Sequence, residues 1–293
     1  MEPPISVLVR RGDTVESVHR VHAAAMRDGE LIGEAGDPDL VTFMRSSAKP
    51  LQALPLARAY PDLPDDELAI ACASHLADPD QVRAAEALLA RAHAREDDLE
   101  CGADGDPPRR INHNCSGKHA GMLAVCRARG WAIDGYRLPD HPLQRGLLDE
   151  IRRDAGRTEL ATAIDGCGVV TFALPLRAMA HAFATLEDRE GGDRITSAMR
   201  AHPDLIRGPR AADTMLMRAL PGWIAKGGAE GLMCAAGDGL GVALKAEDGA
   251  ARALRPALAA FLAGLGHDLP PGFAVVSVEN SRRERVGEIV AAR

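Results

Sequence analysis

Runs with the character of β-strands are confined to the two ends of this 293-residue chain. Segment 5–9 alternates between apolar and polar residues, and the run 15–26 can return beside it as the second arm of a hairpin. Near the other end, strand-like runs cover 231–236, 240–245, 273–278 and 286–291. A helix is predicted at 251–265, between the second and the third of these runs. The chain is therefore predicted to assemble one sheet from both of its ends.

The middle of the chain, from residue 46 to about residue 220, has the apolar spacing of amphipathic helices. Apolar residues recur three and four positions apart in five segments: 65–73, 80–93, 120–129, 142–152 and 174–184. This order predicts an α/β (α+β) protein with a mixed sheet and a helical insert. We expect residues 1–45 and 222–293 to form the sheet-containing region and residues 46–221 a mainly helical region, packed as one compact unit.

The net charge, the first residues and the cysteine spacing indicate which partners, which location and which thiol state to expect. A formal net charge of −7 gives no general attraction for nucleic acid. The first residues carry an acid where a signal peptide has basic ones, and no apolar stretch is long enough to span a membrane, so we expect a cytoplasmic protein without membrane contacts. The six cysteines form no C-x-x-C pair and are expected as free thiols.

A serine and a lysine lie three positions apart in the stretch RSSAKP, which begins at Arg45. Ser46 and Lys49 share a face if this stretch is helical, and Pro50 is tolerated only in the first turn, so the helix should begin at about Ser46. In one interpretation Ser46 caps the helix and Lys49 is solvated. In the other, Ser46 is a nucleophile and Lys49 its base, with a pKa lowered by burial and by neighbouring cations. The motif alone does not decide between them.

Two cysteines have unusual surroundings. Cys115 precedes Lys118 by three positions at a predicted helix start, where Gly117 and Gly121 allow close backbone approach, and Cys167 lies between two glycines. Either could be a buried structural thiol, a nucleophile or a metal ligand. The usual His and Cys spacings of zinc sites are absent, so spacing alone does not predict a metal.

A second lysine precedes two glycines, in the segment Lys226-Gly227-Gly228. It could lie in a tight turn, or on an edge strand whose backbone approaches a ligand closely. An S-x-x-K helix followed by a Lys-Gly strand is the layout of serine β-lactamases and penicillin-binding proteins. The chain has K-G-G instead of K-T-G and has no S-D-N, which argues against an antibiotic-processing enzyme.

Six motifs, taken in their order along the chain, resemble the asparaginase II family of the Rhizobium-type, thermolabile L-asparaginases. They are RSSAKPLQALPL, CASH, HNCSGKHAGMLA, DGCG with TFALPL, DTMLM, and KGGAEG. The resemblance implies a fold similar to serine β-lactamases, a homodimer, and hydrolysis of L-asparagine to L-aspartate and ammonia through an acyl-enzyme.

The resemblance also implies roles for individual residues. Two Ser-Lys pairs are expected in one pocket: Ser46 with Lys49, and Ser74 with Lys226. Ser46 would be both helix cap and nucleophile, and the two lysines would lower each other's pKa. Three residues match zinc ligands of the family, with a water as the fourth ligand and an orienting or structural role for the metal: Cys115, Lys118 and Cys167. Three more match pocket residues that hold the substrate or orient its neighbours: Arg45, His119 and Asp165.

The chain departs from the family pattern at two places that would line this pocket. Leu76-Ala77-Asp78 stands where the family usually has a small polar residue, Gly and Glu, and Val169-Val170 replaces a turn with proline. Without that Glu, Asp78 or Asp165 would have to contact the substrate ammonium. Two alternatives therefore stay open: an amidohydrolase acting on another amide, such as glutamine or a β-aspartyl compound, and a non-catalytic zinc-binding protein.

Overall fold

The computed structural model describes residues 2–156 and 158–292. Within these residues the strands are β1 Ile5–Arg11, β2 Thr14–Arg27, β3 Glu30–Ala35, β4 Val41–Phe43, β5 Thr162–Ile164, β6 Val170–Pro175, β7 Ile224–Gly228, β8 Leu232–Gly237, β9 Leu240–Ala246, β10 Val275–Glu279 and β11 Arg285–Ala291. The α-helices are α1 Lys49–Gln52, α2 Leu54–Ala59, α3 Asp65–Ala71, α4 Pro79–Arg91, α5 Ser116–Arg129, α6 Pro142–Asp154, α7 Leu176–Ala184, α8 Gly192–Ala201, α9 Pro203–Ile206, α10 Ala212–Ala219, α11 Leu254–Gly264 and α12 Pro271–Ala274.

The main sheet combines both ends of the chain, as predicted. Its strand order is β10-β11-β1-β2-β9-β8-β7, with β3 also paired to β2, and the pairs are antiparallel. Strand β2 is long enough to pair with β1 through its first half and with β3 and β9 through its second half. The α/β class is therefore confirmed.

Helices α7 and α11 cover opposite faces of this sheet. Gly241 of β9 and Gly33 of β3 face opposite ways, because their partners on β2 are the consecutive residues Met26 and Ala25. A Cβ on Gly241 would lie 2.0 Å from a backbone carbonyl of α7, and one on Gly33 would lie 3.0 Å from Leu265 at the end of α11. The sheet is thus the middle of three layers.

The helical middle of the chain matches the periodicity closely, with one exception. The segment expected as helix from residue 174 begins as strand β6, which is buried along its whole length and pairs with β4 and β5 in a small second sheet. Because both faces of β6 are covered, its apolar run has no period that distinguishes it from a buried helix. Pro175 then precedes the first residue of α7.

The described residues contain no helix that is long and apolar enough to cross a membrane. The six cysteines are all free and buried, which confirms the prediction of free thiols.

Candidate active site

Ser74 lies between two buried lysine side chains. Its Oγ is 2.9 Å from Nζ of Lys49 and 2.9 Å from Nζ of Lys226. Both lysines are fully buried, whereas Ser74 keeps 6% of its surface exposed. The structure thus brings together three of the four residues that the family resemblance implied as catalytic.

Backbone contacts hold Ser74 in this position after the end of α3. Its N–H donates to the carbonyl of Ile206 at 2.8 Å, and the N–H of the next residue, His75, donates to the carbonyl of Asn114 at 3.1 Å. A Cβ on Gly117 would lie only 2.3 Å from the carbonyl oxygen of Ile70, so this glycine lets the start of α5 pack directly against the end of α3. The predicted close approach at Gly117 is confirmed.

Lys49 is the first residue of α1, and Pro50 occupies the first turn as expected. Its Nζ also donates to the carbonyls of Ala73 at 2.5 Å and Asn114 at 3.5 Å. Burial lowers the pKa of Lys49, and the nearby charge of Lys118 lowers it further, while the thiols of the neighbouring cysteines work in the opposite direction.

Lys226 lies on β7, the edge strand of the main sheet, as one interpretation of the K-G-G motif predicted. Burial lowers its pKa to about 7; the charges of Lys49 and Arg207 act in the same direction, and Asp213 opposes them. Its Nζ donates to the carbonyl of Gly227 at 2.7 Å and lies 3.9 Å from Oδ2 of Asp213. An amine with a pKa near 7 can act as a general base at neutral pH.

Ser46 differs from its expected place in the helix. A 3₁₀ turn at Arg45–Ala48 precedes α1, and the N-cap residues of the turn and of α1 are Met44 and Ala48, so the prediction that Ser46 caps the helix is wrong. The turn begins one residue earlier than expected, and the backbone carbonyl of Ser46 accepts from the N–H of Lys49. Among the described residues, no hydrogen bond joins the Ser46 hydroxyl to Lys49, whose Nζ reaches Ser74 instead. A role for Ser46 as nucleophile stays a prediction.

Two of the expected substrate-binding residues bind each other. Nε of Arg45 lies 2.6 Å from Oδ1 of Asp165, which also accepts from the N–H of Gly166 at 2.8 Å. The backbone of Arg45 is in the left-handed region, at φ 49°, where a side chain other than glycine is strained. Two contacts hold Arg45 in this conformation: its side chain binds Asp165, and its backbone N–H donates to the hydroxyl of Thr171.

The third expected substrate-binding residue, His119, is fully buried. Its Nδ1 lies 2.6 Å from the hydroxyl of Tyr136, and burial holds its pKa well below the usual value. Its Nε2 has no hydrogen-bond partner among the described residues. His119 is thus a neutral, buried group next to Lys118 in the chain.

The three expected zinc ligands, Cys115, Lys118 and Cys167, form one buried cluster. Nζ of Lys118 donates to Sγ of Cys167 at 3.1 Å. A hydrogen bond with Cys167 lowers the pKa of Cys115 well below its ordinary value and raises that of Cys167. Although burial works against it, the thiols raise the pKa of Lys118.

This donor set suits a soft metal ion. Two sulfur donors and one nitrogen donor match the ligands that zinc prefers, provided that the lysine gives up its proton on binding. Within residues 2–156 and 158–292, histidines, cysteines and carboxylates alone form no group of three that could hold a metal, so a metal at this cluster would need Lys118 as its third donor.

Reasoning from motifs missed the role of Asp213, the second residue of α10. It is buried, and its Oδ2 accepts from the N–H of Gly227 at 3.1 Å. It therefore aligns β7 and places a negative charge near Lys226. Asp213 is part of the motif DTMLM, but an aspartate in the first turn of a helix usually interacts with the helix dipole. The local sequence therefore does not indicate that Asp213 binds the backbone of the distant Gly227.

The departure at 76–78 begins two residues after Ser74 in the chain. Leu76 is 64% exposed, and Ala77 has a left-handed backbone at φ 60°. Asp78 caps α4 in a reciprocal arrangement with Gln81, so its carboxylate is engaged by the helix start. Asp78, named above as a possible ammonium contact, thus already has a structural partner.

Comparison with known proteins gives one family match. The family model described as L-asparaginase II matches residues 7–291. No curated protein matches the chain.

Several solved structures resemble the chain, and three of them are described here. A putative β-lactamase from Bacteroides dorei is 12% identical with a TM-score of 0.47, covering 83% of this chain and 93% of that one. SurE is 16% identical with a TM-score of 0.41, covering 89% and 74%. A β-lactamase from Desulfarculus baarsii is 18% identical with a TM-score of 0.37, covering 79% and 85%. At these TM-scores the three likenesses carry no conclusion about activity.

Proposed function

Since the chain belongs to the L-asparaginase II family, whose members are hydrolases acting on amides, we propose that it converts L-asparagine to L-aspartate and ammonia. The observation that carries this proposal is the placement of the Ser74 hydroxyl 2.9 Å from each of two buried lysine amines. A serine is a weak nucleophile unless a base within hydrogen-bond reach removes its proton. Lys226, with a pKa of about 7, is suited to be that base.

The proposed reaction has two stages. The neutral amine of Lys226 takes the proton from Ser74 as Oγ attacks the carboxamide carbon, and the ammonium of Lys49 stabilises the charge on Oγ before the bond forms. The C–N bond then breaks, the proton held by Lys226 passes to the leaving nitrogen, and ammonia departs from an ester on Ser74. A water molecule, deprotonated by the same lysine, attacks the ester carbon; the bond from that carbon to Oγ of Ser74 breaks, the proton passes from Lys226 to Oγ, and L-aspartate is released.

Ammonia release separates this proposal from the alternative nucleophile. We expect Ser74→Ala to lose nearly all turnover of L-asparagine, while the exposed Ser281→Ala serves as a matched control with normal turnover. If Ser46→Ala abolishes turnover and Ser74→Ala does not, the acyl group is carried by Ser46. Intact-mass analysis of the enzyme quenched during turnover identifies which serine carries the ester.

Zinc is proposed as a resident metal, held by Cys115, Lys118 and Cys167. When bound, it would supply a positive charge that orients the groups around the pocket and stabilises its loops. We expect metal analysis of the purified protein to find zinc in wild type and to find none in Cys115→Ser, with a lower Tm in the variant. Chelated protein that stays folded but loses all activity would contradict a purely orienting role.

A second candidate substrate class is suggested by the departure from the family pattern at 76–78. Leu76 presents an apolar surface there and Asp78 is engaged as a cap, so the residues of this segment differ from those the family usually has. We therefore include L-glutamine and a β-aspartyl dipeptide in the same assay. Zinc binding without turnover of any amide would instead support a non-catalytic protein.

A homodimer and a cytoplasmic location complete the proposal. The dimer rests on the family resemblance, and the location on the six free cysteines, which are usual in a reducing compartment. Light scattering on the purified protein tests the oligomeric state.

A further inference from the structure

Arg207 is a cation beside Ser74 that lacks a partner in the part of the chain that the structure describes. It lies between α9 and α10 and is exposed. None of the hydrogen bonds or ion pairs formed by described side chains involves its guanidinium. A guanidinium is suited to bind a carboxylate through two hydrogen bonds, so an unpaired arginine in the loop that adjoins Ser74 is a candidate for binding an anion.

The side chain of Arg207 runs from the backbone near Ser74 to the edge strand that carries Lys226. The preceding residue, Ile206, accepts a hydrogen bond from the N–H of Ser74 at 2.8 Å, which fixes one end. At the other end, Nη1 lies 3.2 Å from the position that a Cβ on Gly227 would occupy. The guanidinium therefore lies against edge strand β7, at the residue that follows the proposed base, and its backbone adjoins the loop that carries Ser74.

The second residue of the K-G-G motif makes room for this guanidinium. Enzymes with K-T-G have a threonine at that position. Here a side chain on Gly227 would press against Nη1 of Arg207 and against Oδ2 of Asp213, which lies 3.4 Å from the same point. In this chain, Nη1 of Arg207 thus lies close to the place that the threonine side chain of K-T-G would occupy.

No carboxylate of the described residues lies within ion-pair distance of the Arg207 guanidinium. Oδ2 of Asp213 accepts from the N–H of Gly227 and is not within ion-pair distance of the arginine. On the other side of the site, Arg45 is already paired with Asp165 at 2.6 Å. Of these two arginines, only Arg207 is available to bind an anion.

We propose that Arg207 binds a free carboxylate of the substrate and so restricts the enzyme to amides that carry one. The inference rests on the proposed amidase function and adds a specificity-determining residue to it. A guanidinium binds a carboxylate through two parallel N–H···O bonds, which fixes its orientation as well as its position. The positive charge of Arg207 contributes to the lowered pKa of Lys226, as expected for a guanidinium near the proposed base.

Steady-state kinetics of Arg207→Met test the proposal, with Arg210→Met in the same loop as the control. We expect the KM for L-asparagine to rise roughly 10- to 100-fold with little change in kcat, because a contact made equally in ground and transition states affects binding alone. Arg207→Lys should rescue only part of the loss. For 3-aminopropanamide, which lacks the carboxylate, the wild type and Arg207→Met should be equally poor. Unchanged KM for L-asparagine in Arg207→Met would overturn the assignment while leaving the amidase function intact.

Calorimetric binding of L-aspartate tests Arg207 without requiring turnover. We expect wild type and Arg210→Met to bind L-aspartate alike and Arg207→Met to bind it at least roughly tenfold more weakly. Equal affinity in all three proteins, or no binding to the wild type, overturns the inference. If no amide is hydrolysed but L-aspartate binding depends on Arg207, the proposed reaction fails and the carboxylate site stands. Circular dichroism confirms that the variants fold.

Discussion

At the scale of single residues, the site depends on one hydroxyl that two lysines share and on the unequal surroundings of those lysines. Nζ of Lys49 donates to the backbone carbonyls of Ala73 and Asn114, and burial lowers the pKa of this lysine. Nζ of Lys226 donates to one carbonyl and lies 3.9 Å from Oδ2 of Asp213, and burial lowers its pKa to about 7. Burial thus makes a neutral amine accessible near pH 7, within hydrogen-bond distance of the shared hydroxyl.

The pH dependence of kcat/KM should report the base. Because Lys226 must be neutral to act, we expect kcat/KM for L-asparagine to fall as the pH decreases through about 7. Asp213 raises the pKa of Lys226, so Asp213→Asn should move this limb to lower pH while still accepting from the N–H of Gly227. Asp238→Asn, in an exposed turn, is the control. A limb that does not move in Asp213→Asn would show that another group controls the profile.

At the scale of elements, the pocket depends on how closely α5 approaches α3. The approach at Gly117 leaves no room for a side chain, and it sets the distance between the Ser74 loop and the start of α5. One end of this contact carries the serine, and the other carries the thiol and amine cluster. A small shift between the two helices would therefore disturb both groups at once.

A pair of glycine substitutions tests this dependence. Gly117→Ala should lower the free energy of unfolding by about 1–3 kcal/mol and reduce amidase activity, because the added methyl meets the carbonyl of Ile70. Gly146→Ala is the control: it lies in α6 with open space around it, and should stabilise the protein by about 0.5–1 kcal/mol without affecting activity. Urea titrations with parallel assays measure both. Full activity in a stable Gly117→Ala would contradict the coupling.

Elements with a clear period could be predicted from the sequence, and contacts between distant elements could not. Helices α3 to α6 followed from their apolar spacing, whereas β6 did not, because burial on both faces removes any period. At the site, spacing joined Ser46 to Lys49, since residues three apart share a helix face. The observed partner of Lys49 is Ser74, brought there by the packing of α3 and α5, which leaves no trace in local spacing. Arg207 had no motif to mark it at all.

At the scale of the whole molecule, the main sheet joins the two ends of the described chain. Strands β1 and β11 pair directly, and the N–H of Ala292 donates to the carbonyl of Ser6 at 2.7 Å. The first strands and the last ones therefore depend on each other for their ladder hydrogen bonds. The site residues, in contrast, lie at the other side of the fold, where β7 meets the helices.

This arrangement predicts that the chain tolerates circular permutation. A protein in which residue 292 is linked to residue 5 through a short Gly/Ser linker, with new ends in the exposed turn between Asp238 and Gly239, should fold and retain amidase activity. New ends between Ala225 and Lys226, inside β7, should abolish activity because they detach the proposed base from its strand. Ammonia release from both proteins tests the prediction. Loss of activity in the first permutant, in a folded protein, would contradict it.

The contact between Ser74 and Lys226 has a consequence for biosynthesis. The two residues are 152 positions apart, and β7 becomes a stable edge only after β8 and β9 have formed and paired with β2. A nascent chain that has already emerged as far as α10 carries the serine, Lys49 and the thiol cluster, yet lacks the second amine. If Lys226 is the base proposed above, newly made protein stays inert on the ribosome until β7 to β9 have been translated, and activity follows as one of the last events of folding.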